Sequence, residues 1–344
     1  MTAAVAKRRL SRLILPLACL GLAGCAPLYG PLSTFILDSD FARDAFFLFK
    51  YTFIWDIIIL LTVLVPLVLA LFVLTPKKSS GSEHEAEEHE RSTRWLEAAW
   101  TITPALILIS MSVPSIRMTF QYQPKEAPAG ALRVRVIGHQ WWWEFQYPEF
   151  HLTTADELHN PAGRVVYFDL ESADVLHGFW APELGGKRDT IPGHVNHLTF
   201  TPDKPGEYFG ECTQFCGLSH ANMRFRIFVD TPEKFAAWVK QQQAAPAAGQ
   251  GSNPKIEAGA AVFAAAPCVA CHTVEGVSKG YIGPNLTHIG SHQTLAGSIL
   301  PNTPENMAKW IHNPDALKPG AQMPALGLSP EETSDLVAYL ESLK

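Results

Sequence analysis

The chain has 344 residues, enough for two or more domains at roughly 150 residues each, with 47% hydrophobic and only 17% charged residues. That balance is apolar for a soluble protein and points to membrane-spanning segments. The net charge of −6 leaves no basic excess for a nucleic-acid partner, so none is expected.

The first residues read as an address. Lys7, Arg8, Arg9 and Arg12 form a basic stretch, and Leu13 to Ala23 is an apolar run too short for the roughly 20 residues a span needs, so residues 1–24 read as a signal peptide. Leu22-Ala23-Gly24-Cys25 resembles the bacterial lipoprotein box, in which Cys25 becomes the lipidated first residue. The plainer alternative is an ordinary signal peptide with an incidental cysteine.

Residues 46–120 read as a two-helix transmembrane hairpin. Phe46 to Leu74 is apolar apart from Lys50 and Asp56, and Trp95 to Met118 follows with Trp95 and Trp100 placed for the interface. Pro66, Pro104 and Pro114 are tolerable in membrane helices. Lys77, Lys78, Arg91 and Arg94 flank the connecting loop at its membrane ends, which predicts that the loop is cytoplasmic. Everything after about residue 120 then lies outside the cytoplasm, on the periplasmic or extracytoplasmic side of a bacterial inner membrane. Asp56 reads as a headgroup-level carboxylate, and His84 and His89 as parts of a solvated charged loop.

Residues 131–232 read as an all-β, cupredoxin-like sandwich. Strand-like runs occur at Leu132 to Val136, Val165 to Leu170, Val195 to Phe200, Tyr208-Phe209 and Phe225 to Val229, punctuated by Pro, Gly, Asp and Asn. Before the last run, Cys212, Cys216, His220 and Met223 fall within twelve residues. Soft sulfur ligands with imidazole suit copper. Two thiolates can bridge two copper ions and spread one charge over both, and His177 best supplies a second, distant imidazole. The alternatives are a structural zinc site, for which Met223 is gratuitous, and a disulfide, which leaves His220 and Met223 without a role.

These motifs, with Gly138–Trp143, Val175–Pro182 and Asp189–Gly193, resemble subunit II of the haem-copper cytochrome c oxidases over roughly residues 46–229. The resemblance implies a dinuclear copper centre, CuA, held by His177, Cys212, Cys216, His220, Met223 and the backbone carbonyl of Gln214. It also implies electron input at Trp141 and a proton-path carboxylate at Glu97. The family usually has Glu where this chain has Gln214, and that carboxylate helps bind magnesium at the boundary with subunit I. Gln214 keeps the carbonyl but lacks the charge, so the resemblance leaves the magnesium site open. Trp142 stands where the family often has Tyr. Three tandem tryptophans on a strand alternate faces, so at least one is expected to be exposed.

Gln241 to Pro254 is a linker by composition, with a mean span of about 20 Å as a flexible coil. On length alone it would let whatever follows rotate between two positions. Residues 255–344 read as an all-α cytochrome c domain. Cys268-Val-Ala-Cys271-His272 has the order that attaches haem through two thioethers with His272 as proximal ligand. Met323 is the expected distal ligand and Met307 the rival, since a thioether opposite His raises the haem potential. Ser329-Pro330-Glu331-Glu332 predicts a capped terminal helix.

A copper subunit fused to a class I cytochrome c resembles subunit II of the caa3-type oxidases. The resemblance implies that an external cytochrome c or similar donor reduces the haem, and that the electron passes to CuA and then to the haem-copper subunit I. Oxygen reduction and proton translocation take place there, with subunit III as a further partner. The alternatives are a membrane-anchored CuA and haem c carrier for another reductase, such as a nitrous oxide reductase, and a copper-delivery module. A quinol-oxidising relative would lack the copper ligands.

Overall fold

The computed structural model describes residues 30–72, 83–246 and 253–344. Cys25 and the signal segment, Lys77, Lys78 and the side chains of His84 and His89 lie outside the described residues. Residues 44–120 form one compact unit, and residues 31–43 with 121–344 form another.

The first unit holds two long helices, α1 (Asp40–Phe72) and α2 (Glu83–Gln121). Both begin before the apolar runs that announced them, α1 with Asp40 in its first turn, where a carboxylate complements the helix dipole. Two segments are apolar enough to cross a bilayer, Asp40–Leu71 and Thr93–Gln121. Large side chains such as Phe53, Leu60, Leu71, Leu108 and Phe120 stand exposed along them. Water does not tolerate so long an apolar surface, whereas lipid or partner helices do. Thr62, Thr101 and Ser112 return their hydroxyls to carbonyls four residues back, so these polar groups are satisfied inside their helices.

The sandwich in the second unit has two five-stranded sheets. The first runs β3 (Leu152–Ala155), β2 (Trp142–Tyr147), β1 (Leu132–His139), β5 (Val166–Ser172), β8 (Asn196–Phe200). The second runs β4 (Glu157–Pro161), β10 (Arg224–Asp230), β9 (Gly206–Cys212), β6 (His177–Trp180), β7 (Arg188–Thr190). In β1 alternate residues Leu132, Val134 and Val136 are buried, while Arg135 on the other face clasps Glu171 through two bonds of 2.6 and 2.7 Å. Between the sheets lie Trp143, Phe145, Phe168, Phe179 and Phe225, with the Phe179 and Phe225 rings stacked at 4.5 Å. Each such side chain contributes roughly 1.5–3 kcal/mol by burial. This core fixes the ends of β6 and β9, the strands that carry His177 and Cys212.

α3 (Pro232–Gln242) closes the sandwich under a Thr231 cap. In the C-terminal part, α4 (Pro254–Ala265) crosses α8 (Pro330–Ser342), and α5 (Cys268–Cys271), α6 (Pro304–His312) and α7 (Pro314–Leu317) lie between them in the chain. Ser329 and Glu332 form the capping box that the sequence announces. Gly259 is where α4 meets α8: a Cβ there would lie 2.0 Å from the Asp335 carbonyl oxygen. Gly259→Val should therefore destabilise this domain by about 2 kcal/mol or more, read as an earlier thermal transition of the C-terminal domain with the sandwich unaffected. An unchanged transition would contradict the tight crossing.

Candidate metal and haem centres

Strand β9 ends at Cys212, and the chain then turns back through Cys216, His220 and Met223 before β10 begins. The backbone N–H of Cys212 donates to the Met223 carbonyl at 2.9 Å, which closes this loop at its base. The two sulfurs lie 3.8 Å apart. Cys216 Sγ is 3.5 Å from His220 Nδ1 and 3.9 Å from Met223 Sδ, and Cys212 Sγ is 3.3 Å from the Gln214 carbonyl oxygen. From β6 comes His177, fully buried. Its ring and the two sulfurs place their ligand atoms within 4.8 Å of one another, and no other such His/Cys/Asp/Glu group occurs among the described residues. All six atoms expected from the sequence thus meet at one end of the sandwich.

The electrostatics call for a cation. The hydrogen bond from the Cys216 thiol pulls Cys212 down towards the thiolate, while the same contact and burial push Cys216 up. Burial would pull His177 down, but the Asp174 carboxylate and the Cys212 sulfur hold it above its ordinary value. His177 Nε2 meets Asp174 Oδ1 at 2.7 Å, and Nδ1 is buried without a hydrogen-bond partner. A buried polar atom without a partner is costly. A metal ion beside the sulfurs would give it one.

Asp174 is a site residue that the sequence motifs do not single out. Its carboxylate also accepts from Val175 N at 2.6 Å and Gln140 N at 2.7 Å, so it is itself fixed. A carboxylate on the outer nitrogen of a ligating histidine sets the tautomer and aims the inner nitrogen. The only available sign was an Asp three residues before a His. Gly138 leaves room for the ring, since a Cβ there would lie 2.7 Å from His177 Cδ2.

The burial of the three tryptophans alternates, but the expected exposed member is missing. Trp141 precedes β2, in the turn after β1, so strand periodicity does not govern it. It is 8% exposed, Trp143 is fully buried, and Trp142 is half-buried and stacked on His139 at 4.1 Å. None is fully exposed. Trp141 Nε1 donates to the Cys216 carbonyl at 3.0 Å, so this indole is bonded to the cysteine loop. Glu97, by contrast, stands exposed on α2 among apolar neighbours.

The C-terminal domain encloses a cavity lined by Cys268, Cys271, His272, Met307 and Met323, and Trp141 also borders it. His272 Nδ1 lies 2.8 Å from the Pro284 carbonyl oxygen, so Nδ1 carries the proton and Nε2 is left as the ligating nitrogen. Burial holds this imidazole below its ordinary value, in the neutral form a metal needs. A Cβ at Gly283 would lie 2.6 Å from His272 Cε1, so only glycine lets the chain pass the ring so closely. Both cysteines are free. Met307 is 2% exposed within α6, and Met323 is half-buried in the irregular segment after α7. The cavity's apolar wall and its donors fit a haem.

Replacing Asp174 with Asn keeps the shape and removes the charge behind His177. Metal retention in a chelator competition should fall about 10- to 100-fold with the sandwich still folded. Unchanged retention would remove Asp174 from the site.

Three family profiles match in chain order. "Cytochrome C oxidase subunit II, transmembrane domain" covers residues 38–118, "Cytochrome C oxidase subunit II, periplasmic domain" covers 151–230 and "Cytochrome c" covers 256–344. Cytochrome c oxidase subunit 2 of Alkalihalophilus pseudofirmus is 35% identical over 294 residues, 83% of this chain and 85% of the relative. Cytochrome c oxidase subunit 2 of Bacillus sp. (strain PS3) is 32% identical over 286 residues, 78% of this chain and 80% of the relative. Quinol oxidase subunit 2 of Bacillus cereus (strain ATCC 10987 / NRS 248) is 33% identical over 201 residues, 56% of this chain and 68% of the relative. The sulfur-rich loop, the paired apolar helices and the haem-type motif thus have one common explanation: the chain belongs to the cytochrome c oxidase subunit II family and carries a cytochrome c domain at its C-terminal end.

Proposed function

We propose that this chain relays electrons from an external cytochrome c or similar donor, through a covalently bound haem c, to a dinuclear copper centre and on to the haem-copper catalytic subunit, where oxygen is reduced and protons are moved. Membership of the family makes it a membrane-bound component of a haem-copper oxidase, with copper and haem as its cofactors and the catalytic subunit as its partner. The finer reading rests on one observation: two buried sulfurs and an unpartnered buried imidazole nitrogen meet at a loop that is hydrogen-bonded to a tryptophan bordering the haem cavity.

His177, Cys212, Cys216, His220, Met223 and the Gln214 carbonyl would hold two copper ions. Two thiolates cancel charge on the metal that neutral ligands alone would leave uncompensated in a dry site. Such a pair supplies one-electron chemistry with the charge shared between the ions. Met223 is buried and its thioether favours copper over zinc. Cys268, Cys271 and His272 would anchor the haem, with Met323 as the thioether ligand, because Met307 is packed inside α6. Trp141 would be the point of electron input, bonded as it is to the Cys216 carbonyl.

The out-in-out topology read from Lys77, Lys78, Arg91 and Arg94 would put both redox domains on the periplasmic or extracytoplasmic side. A third oxidase subunit would complete the assembly. Gln214 lacks the carboxylate that helps bind magnesium elsewhere in the family, so a magnesium ion at that boundary would have to do without this ligand. Glu97, exposed on α2, would serve a proton path only with a partner subunit packed against it.

Single substitutions in the assembled oxidase separate these roles. Cys212→Ser should bring cytochrome c oxidation to background while the haem absorption persists. Met323→Leu should abolish the sulfur-to-iron charge-transfer band and lower the haem potential, and Met307→Leu should leave both in place. Full oxidation by the Cys212 variant, or loss of the band only in the Met307 variant, would contradict the assignment.

A further inference from the structure

The two redox domains meet through buried polar groups that electron transfer does not itself require. On the copper side, Asp156 and Glu157 are 8% and 3% exposed. Glu157 Oε1 accepts three hydrogen bonds from the haem domain: Gln293 N at 2.9 Å, Thr294 N at 2.7 Å and Thr294 Oγ1 at 2.7 Å. Asp156 Oδ2 accepts from Gly297 N at 3.0 Å, and its other oxygen accepts from Trp143 N at 2.8 Å, so one carboxylate ties the haem-domain loop to the sandwich core. In the other direction Lys318, 4% exposed, donates across the seam to the Trp141 carbonyl and, within its own domain, to the Ala296 carbonyl at 2.8 Å. Arg224 N to Gly297 O at 3.1 Å and Ser219 Oγ to Pro319 O at 2.7 Å extend the seam.

These groups are dehydrated by the contact. Burial pushes Asp156 up to about 6 and Lys318 down to about 8, each partly offset by the other's charge. A surface used only in passing has no need of charges that must shed water at every encounter. Buried charged groups with matched partners instead fix one register, because any displaced arrangement leaves them unpaired. The contact also covers Trp141: a Cβ at Gly320 would lie 2.8 Å from the indole.

We propose that Asp156 and Glu157, set against Lys318 and the loop 293–298, form a polar lock that holds the haem domain on the copper domain as a resident donor. This rests on the functional reading above for the meaning of "donor", but not for the lock itself. The linker then maintains proximity without directing a swing, and Trp141 is closed to a separate protein while the lock holds. This reverses the rotation that linker length alone would allow.

The test uses the full-length chain carrying both cofactors, with a protease recognition sequence placed in residues 247–252. Hydrogen exchange of peptides containing Gln293, Thr294 and Gly297 is measured in the uncut protein. The cut protein is passed over a sizing column. In the wild type these amides should be protected and the haem fragment should stay bound. In Glu157→Gln and in Lys318→Met, changed on opposite sides, exchange should be about tenfold faster or more and the fragment should separate. The haem and copper spectra of each sample report that both domains are folded. Wild-type amides exchanging as fast as in the variants, with a fragment that separates freely, would overturn the lock. A lock that holds while the copper signal is absent would instead overturn the functional reading and leave this inference standing.

Discussion

Two thiolates and an imidazole packed together in a dry protein interior need a positive charge between them. The contact between the sulfurs favours a thiolate at Cys212, and the inner nitrogen of His177 is buried without a hydrogen-bond partner. The energetic cost of leaving such groups unmet is high enough that the surrounding structure must force them together. The aromatic layer around Trp143, Phe179 and Phe225 does this, by fixing the strands from which His177 and Cys212 emerge. Asp174 then sets the direction of the imidazole. The sandwich acts as a clamp that holds the proposed ligands together, which suits a centre that must change charge with little change of shape.

The second domain follows a different logic. Its haem-type motif supplies ligands through local sequence, and the small helical fold encloses a cavity around them. Joining the two by a linker alone would raise their mutual concentration to the order of mM. The seam of Asp156, Glu157 and Lys318 goes further and selects one orientation. It brings the cavity to the tryptophan that is hydrogen-bonded to the cysteine loop.

Much of this was legible in the sequence because the chemistry is local. Cys212 to Met223 and Cys268 to His272 declare themselves by spacing, and the terminal helix by its capping box. The apolar helices were evident from length, although their true starts at Asp40 and Glu83 lie in polar sequence where periodicity gives no signal. The short strands β3, β4, β6 and β7 were not visible, because three to five residues carry too little alternation to stand out. Trp141 was read as part of a strand, whereas a turn places it and a separate domain covers it. Asp156, Glu157 and Lys318 had no sequence signal at all. Their importance arises from pairing across about 140 to 160 residues of chain, which only the tertiary fold reveals.

The central claim is that one chain holds a shared-charge copper pair next to a covalent haem. It is tested most directly by metal analysis and electron paramagnetic resonance of the full-length protein purified with its cofactors. The account predicts two coppers and one iron per chain, with a copper signal whose unpaired electron is divided between two nuclei. A single copper, a zinc ion or a copper signal confined to one nucleus would contradict it.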